Sequence, residues 1–313
     1  MSSLQTIAPA KINFFLHVLR RRLDGYHELD SLVAFAQYGD KIMLEETKKQ
    51  NQDTLSLSGE FSEILTAETG NKINSVLMAA RLWREEMQKH QQKLPFLHFS
   101  LEKKLPVAAG IGGGSSDSSA TLNLLAKHYP LNDLTKETFS ELFLKLGADG
   151  PVTQNNLPKR MRGIGEILNG IPLFPQIGIL LLNPGIKVST SKIFQALDIP
   201  EQKDLSYPKI PKEGWKDARM LFSFLKKTRN DLEQPAIKLV PIIADILSQL
   251  RHLPACQLAR MSGSGATCFA LFQNKADAQN AEKILRSSPN TPKSWWIWSG
   301  ETYPSKTTET KDF

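Results

Sequence analysis

Between residues 6 and 18 the chain alternates: Ala10, Ile12, Phe14, Leu16 and Val18 face one way, and Lys11, Asn13, Phe15 and His17 the other. A period of two is that of a β-strand, here with one buried face, and it puts Lys11 and Asn13 on the same side. Asp24-Gly25 marks a turn, residues 29–44 read as further strand, and the polar run 48–53 as a loop tip. The period then changes: Val76, Ala80, Trp83 and Met87 share one helical face, before residues 96–101 alternate as a strand. A glycine-rich segment, 108–117, runs into a helix through Ala120, Leu124 and Leu125. Thr135 can cap a further helix whose Phe139, Leu142, Phe143 and Leu146 are spaced i, i+3, i+4 and i+7; Gly147 ends it and delivers Asp149 into a loop.

The second half opens with a buried-type strand at 177–182, a turn at Asn183-Pro184-Gly185 and a Pro/Lys-rich loop at about 200–217. Val240, Ile243, Ala244, Leu247 and Leu250 mark a core-facing helix. A second glycine loop, Ser262-Gly263-Ser264-Gly265-Ala266-Thr267, leads into a strand at 268–272, and Trp295-Trp296-Ile297-Trp298 packs as another strand. Strands and helices interleave without an internal repeat, which places the chain in the α+β class with a domain boundary near 165–175. The division expected is 1–168, 169–300 and a frayed polar tail, 301–313, beginning at Gly300.

The 313 residues suffice for two domains and a sizeable core, and 41% hydrophobic with 23% charged residues is ordinary for a soluble protein. The longest apolar stretch, 177–182, is far too short to span a bilayer, and no basic segment followed by an apolar run opens the chain. Cys256 and Cys268 lack ligand or CxxC spacing, so they read as structural thiols of a reducing, cytoplasmic compartment. The formal charge of +7 raises the question of a nucleic-acid partner. The basic clusters (Arg20-Arg21-Arg22, Lys103-Lys104, Lys159-Arg160, Lys226-Lys227) are short, scattered and free of interleaved aromatics, which argues for solvated surface and a field that draws polyanionic small molecules.

The strongest chemical signal is the loop at 110–116. Glycines let backbone N–H groups approach an anion, and the helix N-terminus behind them adds partial positive charge. Ser115 and Ser116 can offer hydroxyls to phosphate oxygens or to a hydrated metal ion. No lysine follows the glycines, so this is not a Walker A loop, and the third glycine of a dinucleotide fingerprint would fall at Ser115. The competing reading is a flexible turn; three glycines directly before Ser-Ser-Asp and an amphipathic helix speak against it.

Pro9-Ala10-Lys11-Ile12-Asn13, the segment 105–117 and the loop 262–267 resemble, in order and separation, the three motifs of the GHMP kinases, and the resemblance runs from about residue 6 to 286. Asp24-Gly25-Tyr26-His27, Leu146-Gly147-Ala148-Asp149, Arg162-Gly163-Ile164-Gly165-Glu166 and Asn183-Pro184-Gly185 are similar to the branch that phosphorylates a cytidine-diphosphate-linked methylerythritol in isoprenoid precursor synthesis. The resemblance implies an N-terminal domain like ribosomal protein S5, a ferredoxin-like C-terminal domain and an active site in the cleft between them. It implies ATP and Mg²⁺ as cofactors, with no dedicated metal ligands, no membrane or nucleic-acid partner, and a monomer or homodimer. It assigns Lys11 and Asp149 as the catalytic pair. The nucleotide falls to Asn74, Lys103, Pro106, Val107, Ala108, Ala109, Gly110, Ile111, Gly112, Gly113, Gly114, Ser115 and Ser116. The acceptor falls to Asn13, Tyr26, His27, Phe194, Gly263, Ser264 and Gly265, with Tyr26, His27 and Phe194 around the cytosine.

The sequence departs from the family after Asp149, where Val-Pro-Phe or Val-Pro-Val and an apolar strand usually follow. Here residues 150–161 read Gly-Pro-Val-Thr-Gln-Asn-Asn-Leu-Pro-Lys-Arg-Met, so strand character is largely lost beside the base. Taken singly, Lys11 reads as a solvated edge lysine, Asp149 as a helix cap and Tyr26-His27 as a turn pair; their joint occurrence with two glycine loops reverses those readings. Another GHMP kinase of the mevalonate or homoserine type, a catalytically silent nucleotide-binding module and an RNA-binding protein of S5-like fold are the alternatives.

Overall fold

The computed structural model describes residues 4–47, 51–197 and 208–305. Within these the chain forms two compact units, each made of non-consecutive stretches: 4–10, 38–47, 51–107 and 112–155 in the first, and 11–37, 108–111, 156–197 and 208–305 in the second. Two long strands, β1 (Leu4–Arg21) and β2 (His27–Glu46), contribute residues to both and pair with each other.

In the first unit, β2 pairs antiparallel with β4 (Leu97–Glu102), from Lys41 opposite Glu102 to Glu46 opposite Leu97. β4 takes β3 (Thr54–Ser58) in parallel on its other side, and a short helix, α1 (Ser62–Thr69), follows β3. Helix α2 (Ser75–Lys89) buries the predicted stripe of Val76, Ala80, Trp83 and Met87. These pack with Leu122, Leu124 and Leu125 of α3 (Gly113–His128), Leu142 and Phe143 of α4 (Lys136–Lys145), and Ile42, Leu44, Phe99 and Leu101 of the sheet in one core. Thr135 caps α4 as its sequence position predicts, its oxygen accepting from Thr138 N–H at 3.1 Å. Beyond Gly147, whose φ of +129° only glycine adopts readily, a single helical turn, α5 (Gly150–Thr153), stands where the sequence suggested a loop.

In the second unit, β2 pairs antiparallel with β5 (Lys159–Gly163), which pairs with β6 (Ile167–Gly170). A separate antiparallel sheet has the order β10-β7-β9-β8, built from β7 (Gly178–Asn183), β8 (Leu258–Met261), β9 (Cys268–Phe272) and β10 (Trp296–Glu301). Every residue of β7 and β9 is buried, as their unbroken apolar runs predict. Helices α6 (Thr190–Gln195), α7 (Ala218–Leu225), α8 (Glu233–Leu239), α9 (Ile242–Arg251) and α10 (Lys275–Ser287) complete the unit, and α8, α9 and α10 supply Ala236, Ile243, Leu247 and Leu285 to its core. Both cysteines are free thiols. The tail begins later than the sequence suggests: Gly300 and Glu301 belong to β10, Thr302 N–H donates to Ile177 O at 3.0 Å and Tyr303 N–H to Phe35 O at 2.8 Å. Residues 306–313, part of the predicted loop tip (48–50) and part of the Pro/Lys-rich loop (200–207) lie outside the described residues.

One expectation is corrected along β1. It does not have a single buried face; Ala8 to Leu19 is buried throughout. The polar face is buried because its members find partners across the second unit. Asn13 Nδ2–H donates to Ser31 Oγ at 2.8 Å and Ser31 O–H to Phe15 O at 2.6 Å, while His17 Nε2 accepts from Arg229 N–H at 3.2 Å. Burial, with Arg229 adding to it, lowers the His17 pKa to about 4, against smaller opposing effects of Asp231 and Asp30. A histidine held neutral in the fold but not in the unfolded chain stabilises fully above pH 6.5, and that contribution is lost as pH falls towards 4. Going from pH 7 to pH 5 should therefore cost about 2 kcal/mol of unfolding free energy through this one ring. Urea midpoints at both pH values read it: His17→Gln should show a smaller drop than the native chain, and an equal drop refutes the assignment.

Candidate functional site

In the first unit, α3 starts with Gly112 as its N-cap, in the left-handed conformation (φ +64°) and without a side-chain cap. The amides of Gly113, Gly114 and Ser115 have no acceptor within the helix; the first ladder bond is Ser116 N–H to Gly112 O at 2.8 Å. A Cβ on Gly114 would meet nothing within 4 Å, so packing does not demand glycine there, and its effect is to leave an amide bare. Ser116 Oγ is buried without a hydrogen-bond partner among the described residues. Three open amides at the positive end of a sixteen-residue helix, with an unengaged hydroxyl behind them, form an anion cradle.

Lys103 sits behind this turn, 2% exposed. Its ammonium donates to Asp40 and, at 2.9 Å, to Asp117 Oδ2, and it lies 3.2 Å from where a Cβ of Gly113 would be. The second oxygen of Asp40 accepts from the N–H groups of Lys104 (2.6 Å) and Leu105 (2.8 Å), the entry to the glycine segment. Burial works to lower Lys103, but the charges of Asp117 and Asp40 outweigh it and leave its pKa raised. Burial pushes Asp117 up to about 8, with Lys103 pulling it back and Asp40 pushing it further. Burial thus favours the neutral acid at Asp117 and the ammonium beside it the ionised one.

Asn74 caps α2, its Oδ1 accepting from Val76 N–H at 2.9 Å. Asp149 is the N-cap residue of α5, half-buried, but its side chain makes no capping bond, so capping does not explain an aspartate here. The altered segment after it is anchored: Thr153 and Ser119 hydroxyls lie 2.8 Å apart, and Asn123 Nδ2–H donates to Gln154 O at 2.6 Å.

In the second unit, the two glycine loops pack backbone to backbone. Lys11 N–H donates to Ile111 O at 2.9 Å, Thr267 N–H to Ala109 O at 3.2 Å, and Ser262 O–H to Gly110 O at 3.1 Å. A Cβ on Gly110 would come within 2.7 Å of the carbonyl oxygens of Ser262 and Gly265, which is why glycine is needed there. Asn13 N–H donates to Ser262 Oγ at 3.1 Å, and the hydroxyls of Ser264 and Thr190 lie 2.7 Å apart. Lys11 is buried, 5% exposed, which rules out the solvated-edge reading. The Tyr26 ring is exposed, and the His27 ring stacks on Phe194 with centroids 4.8 Å apart. Burial, helped by Arg21, lowers the His27 pKa, which favours a neutral ring able both to donate and to accept.

Pro106, Val107 and Gly112 to Ser116 thus fall in the first unit with Asn74, Lys103 and Asp149; Ala108 to Ile111 fall in the second with Lys11, Asn13, Tyr26, His27, Phe194 and Gly263 to Gly265. Asp40, Asp117 and Thr153 were not singled out from the sequence. A signal existed for Asp117, the single acid of α3, in its second turn; for Asp40, 63 residues from Lys103, there was none.

The family model for the GHMP kinases N terminal domain matches residues 74–153, and that for GHMP kinases C terminal matches residues 216–290. The 4-diphosphocytidyl-2-C-methyl-D-erythritol kinase of Paracoccus denitrificans is 44% identical over 300 residues, covering 96% of this chain and 97% of its own. The enzyme of that name from Gluconacetobacter diazotrophicus is 40% identical, covering 95% and 94%. A crystal structure of 4-(cytidine 5'-diphospho)-2C-methyl-D-erythritol kinase superposes with a TM-score of 0.74 at 29% identity, covering 95% of this chain and 98% of that one. A homoserine kinase from Cytophaga hutchinsonii, at 15% identity and a TM-score of 0.64, shares the fold.

Proposed function

The chain belongs to the 4-diphosphocytidyl-2-C-methyl-D-erythritol kinases of the GHMP family, with that family's two-domain α+β fold, and we propose that it moves the γ-phosphate of ATP onto the 2-hydroxyl of 4-diphosphocytidyl-2-C-methyl-D-erythritol, a step in non-mevalonate isoprenoid precursor synthesis. The observation that carries the kinase reading is the uncapped first turn of α3: open amides of Gly113, Gly114 and Ser115 suit phosphate oxygens as no side-chain site would.

Asp149 is the base that takes the acceptor proton, and Lys11 the cation that favours negative charge on the acceptor oxygen. Positioning and charge stabilisation supply most of the catalysis in phosphoryl transfer, and the glycine cradle provides both. Mg²⁺, carried with the nucleotide, supplies neutralisation of phosphate charge. Ser115 and Ser116 suit it as neutral oxygen donors. The cytosine is read by Tyr26, His27 and Phe194. With His27 and Phe194 already stacked, 4.8 Å leaves no room for a base between them, so the exposed Tyr26 ring provides the stacking face. Asn13 and the loop Gly263 to Gly265 fall to the acceptor and Asn74 to the adenine, while the buried Lys103 supports the phosphate turn from behind. No helix among the described residues is long and apolar enough to cross a membrane, and we place the enzyme in the cytoplasm as a monomer or homodimer.

ADP release by a coupled assay tests the reading. The cytidylyl-methylerythritol substrate should support turnover, and mevalonate, homoserine and cytidine should not. Comparable rates with mevalonate or homoserine would move the chain to another GHMP activity, and no ADP release with any acceptor would make it a silent nucleotide-binding module.

A further inference from the structure

The short helix after Asp149 carries a contact between the base and the phosphate cradle. It ends in Thr153, 1% exposed. Thr153 Oγ1 lies 3.0 Å from Asp149 O, 3.0 Å from Gly150 O and 3.3 Å from Ser115 O, and 2.8 Å from Ser119 Oγ. A hydroxyl has one proton to donate, so the Ser119 O–H can donate to Thr153 Oγ1 while Thr153 donates to one of the three carbonyls. Two of these carbonyls belong to the base residue and its neighbour. The third belongs to Ser115, the last open amide of the cradle.

Gly150 makes this placement possible. A Cβ there would fall on the Phe143 carbonyl oxygen of α4, so only glycine fits this backbone, and its N–H donates to Gly147 O at 2.9 Å. Glycine at 150 and threonine at 153 act together: the first lets α5 settle against α4, the second ties it to α3.

We infer that Thr153 is a positioning residue for the kinase reaction, holding the Asp149 backbone at a fixed distance from the phosphate-binding turn of α3 through its shared hydroxyl. The inference rests on Asp149 as base and the glycine turn as phosphate cradle. A displaced base loses rate steeply, up to ~10²-fold for a full ångström. Loss of one hydroxyl among several anchors should cost less, ~10-fold in the chemical step.

The experiment compares single-turnover rates, ATP and acceptor KM values and melting temperatures for the native chain, Thr153→Val, Thr153→Ser and Ser119→Ala. Thr153→Val keeps size and shape but has no hydroxyl. It should slow the chemical step ~10-fold with both KM values within ~2-fold, and Thr153→Ser should restore the rate to within ~2-fold. A chemical step in Thr153→Val within ~2-fold of native overturns the inference, as does a lowered melting point with the rate per folded molecule unchanged, the signature of a purely structural threonine. Should Thr153→Val not fold, Ser119→Ala reads the same network: a ~3-fold or greater slowing supports the inference and a native rate overturns it. Asp149→Asn run alongside separates the two levels. If it is inactive while Thr153→Val is native-like, only this inference fails; if Asp149→Asn itself turns over normally, the assignment of the base fails.

Discussion

Asp149→Asn folds normally, binds ATP and the cytidylyl substrate, and turns over ~10² to ~10⁴ times more slowly than the native chain. The fold is spared because asparagine keeps the shape and an oxygen of the aspartate, at a position that does not cap α5. On the proposed assignment binding is spared because the two ligands are held elsewhere, the phosphates by open amides at α3 and the cytosine by aromatic rings. What disappears, on that assignment, is the group that accepts the proton of an alcohol, a poor nucleophile at neutral pH without a base. The loss should appear in kcat and in kcat/KM alike, the pattern of an interaction made only in the transition state. ADP release by the variant within tenfold of native, at equal protein and both substrates saturating, removes Asp149 from the mechanism.

The glycine loops were legible because their meaning is local: Gly112 to Gly114 before Ser-Ser-Asp predicts bare amides at a helix start, and α3 begins there. The same holds for Thr135, whose cap needs only the next three residues, and for the all-apolar β7 and β9. Misread features are those whose partners lie far off in sequence. The alternation in β1 predicts a wet face for Lys11, Asn13 and His17, yet Asn13 is bonded to Ser262, 249 residues on, and His17 to Arg229, 212 residues on. Periodicity registers hydrophobicity; it does not register a buried polar residue whose partner the fold delivers. Helix α10 went unread for a different reason. Its buried face is Ala278, Ala281 and Leu285, and alanines make a faint stripe, although Asn274 in front of it is a proper cap, accepting from Asp277 N–H at 3.0 Å. The stretch after Asp149 shows little strand character in the sequence because threonine, glutamine and two asparagines stand together there. Here α5 holds its place through hydrogen bonds to α3, and β5 follows with Lys159, Met161 and Gly163 buried in alternation.

Lys103→Met should lower the melting temperature on the order of 10 °C and weaken ADP binding with it. The resemblance to the family puts Lys103 beside adenine, but its ammonium is committed to Asp40 and Asp117, its backbone N–H to Ser58 O at 2.7 Å and its carbonyl to Phe61 N–H at 3.3 Å. Methionine fills the space and removes the cation. Asp117, already pushed up towards neutrality by burial, can stay protonated, whereas Asp40 keeps two backbone donors and no counter-charge at 0% exposure. Leaving one member of a buried ion pair unmatched costs about 3–5 kcal/mol, and in domains of this size each kcal/mol moves the midpoint about 2–4 °C. Since Asp40 ties down the amides of Lys104 and Leu105 and Lys103 packs against Gly113, the loss is felt at the start of α3, so nucleotide affinity falls with stability. Adding Asp40→Asn removes the stranded charge but keeps an oxygen for those amides, and the double variant should regain part of the melting temperature. Melting curves and ADP titrations at 10 °C decide between two roles. A Lys103→Met protein that melts within 2 °C of native but binds ADP poorly makes Lys103 a direct nucleotide contact; a large drop partly reversed by Asp40→Asn makes it the cation that holds two acids beneath the phosphate turn.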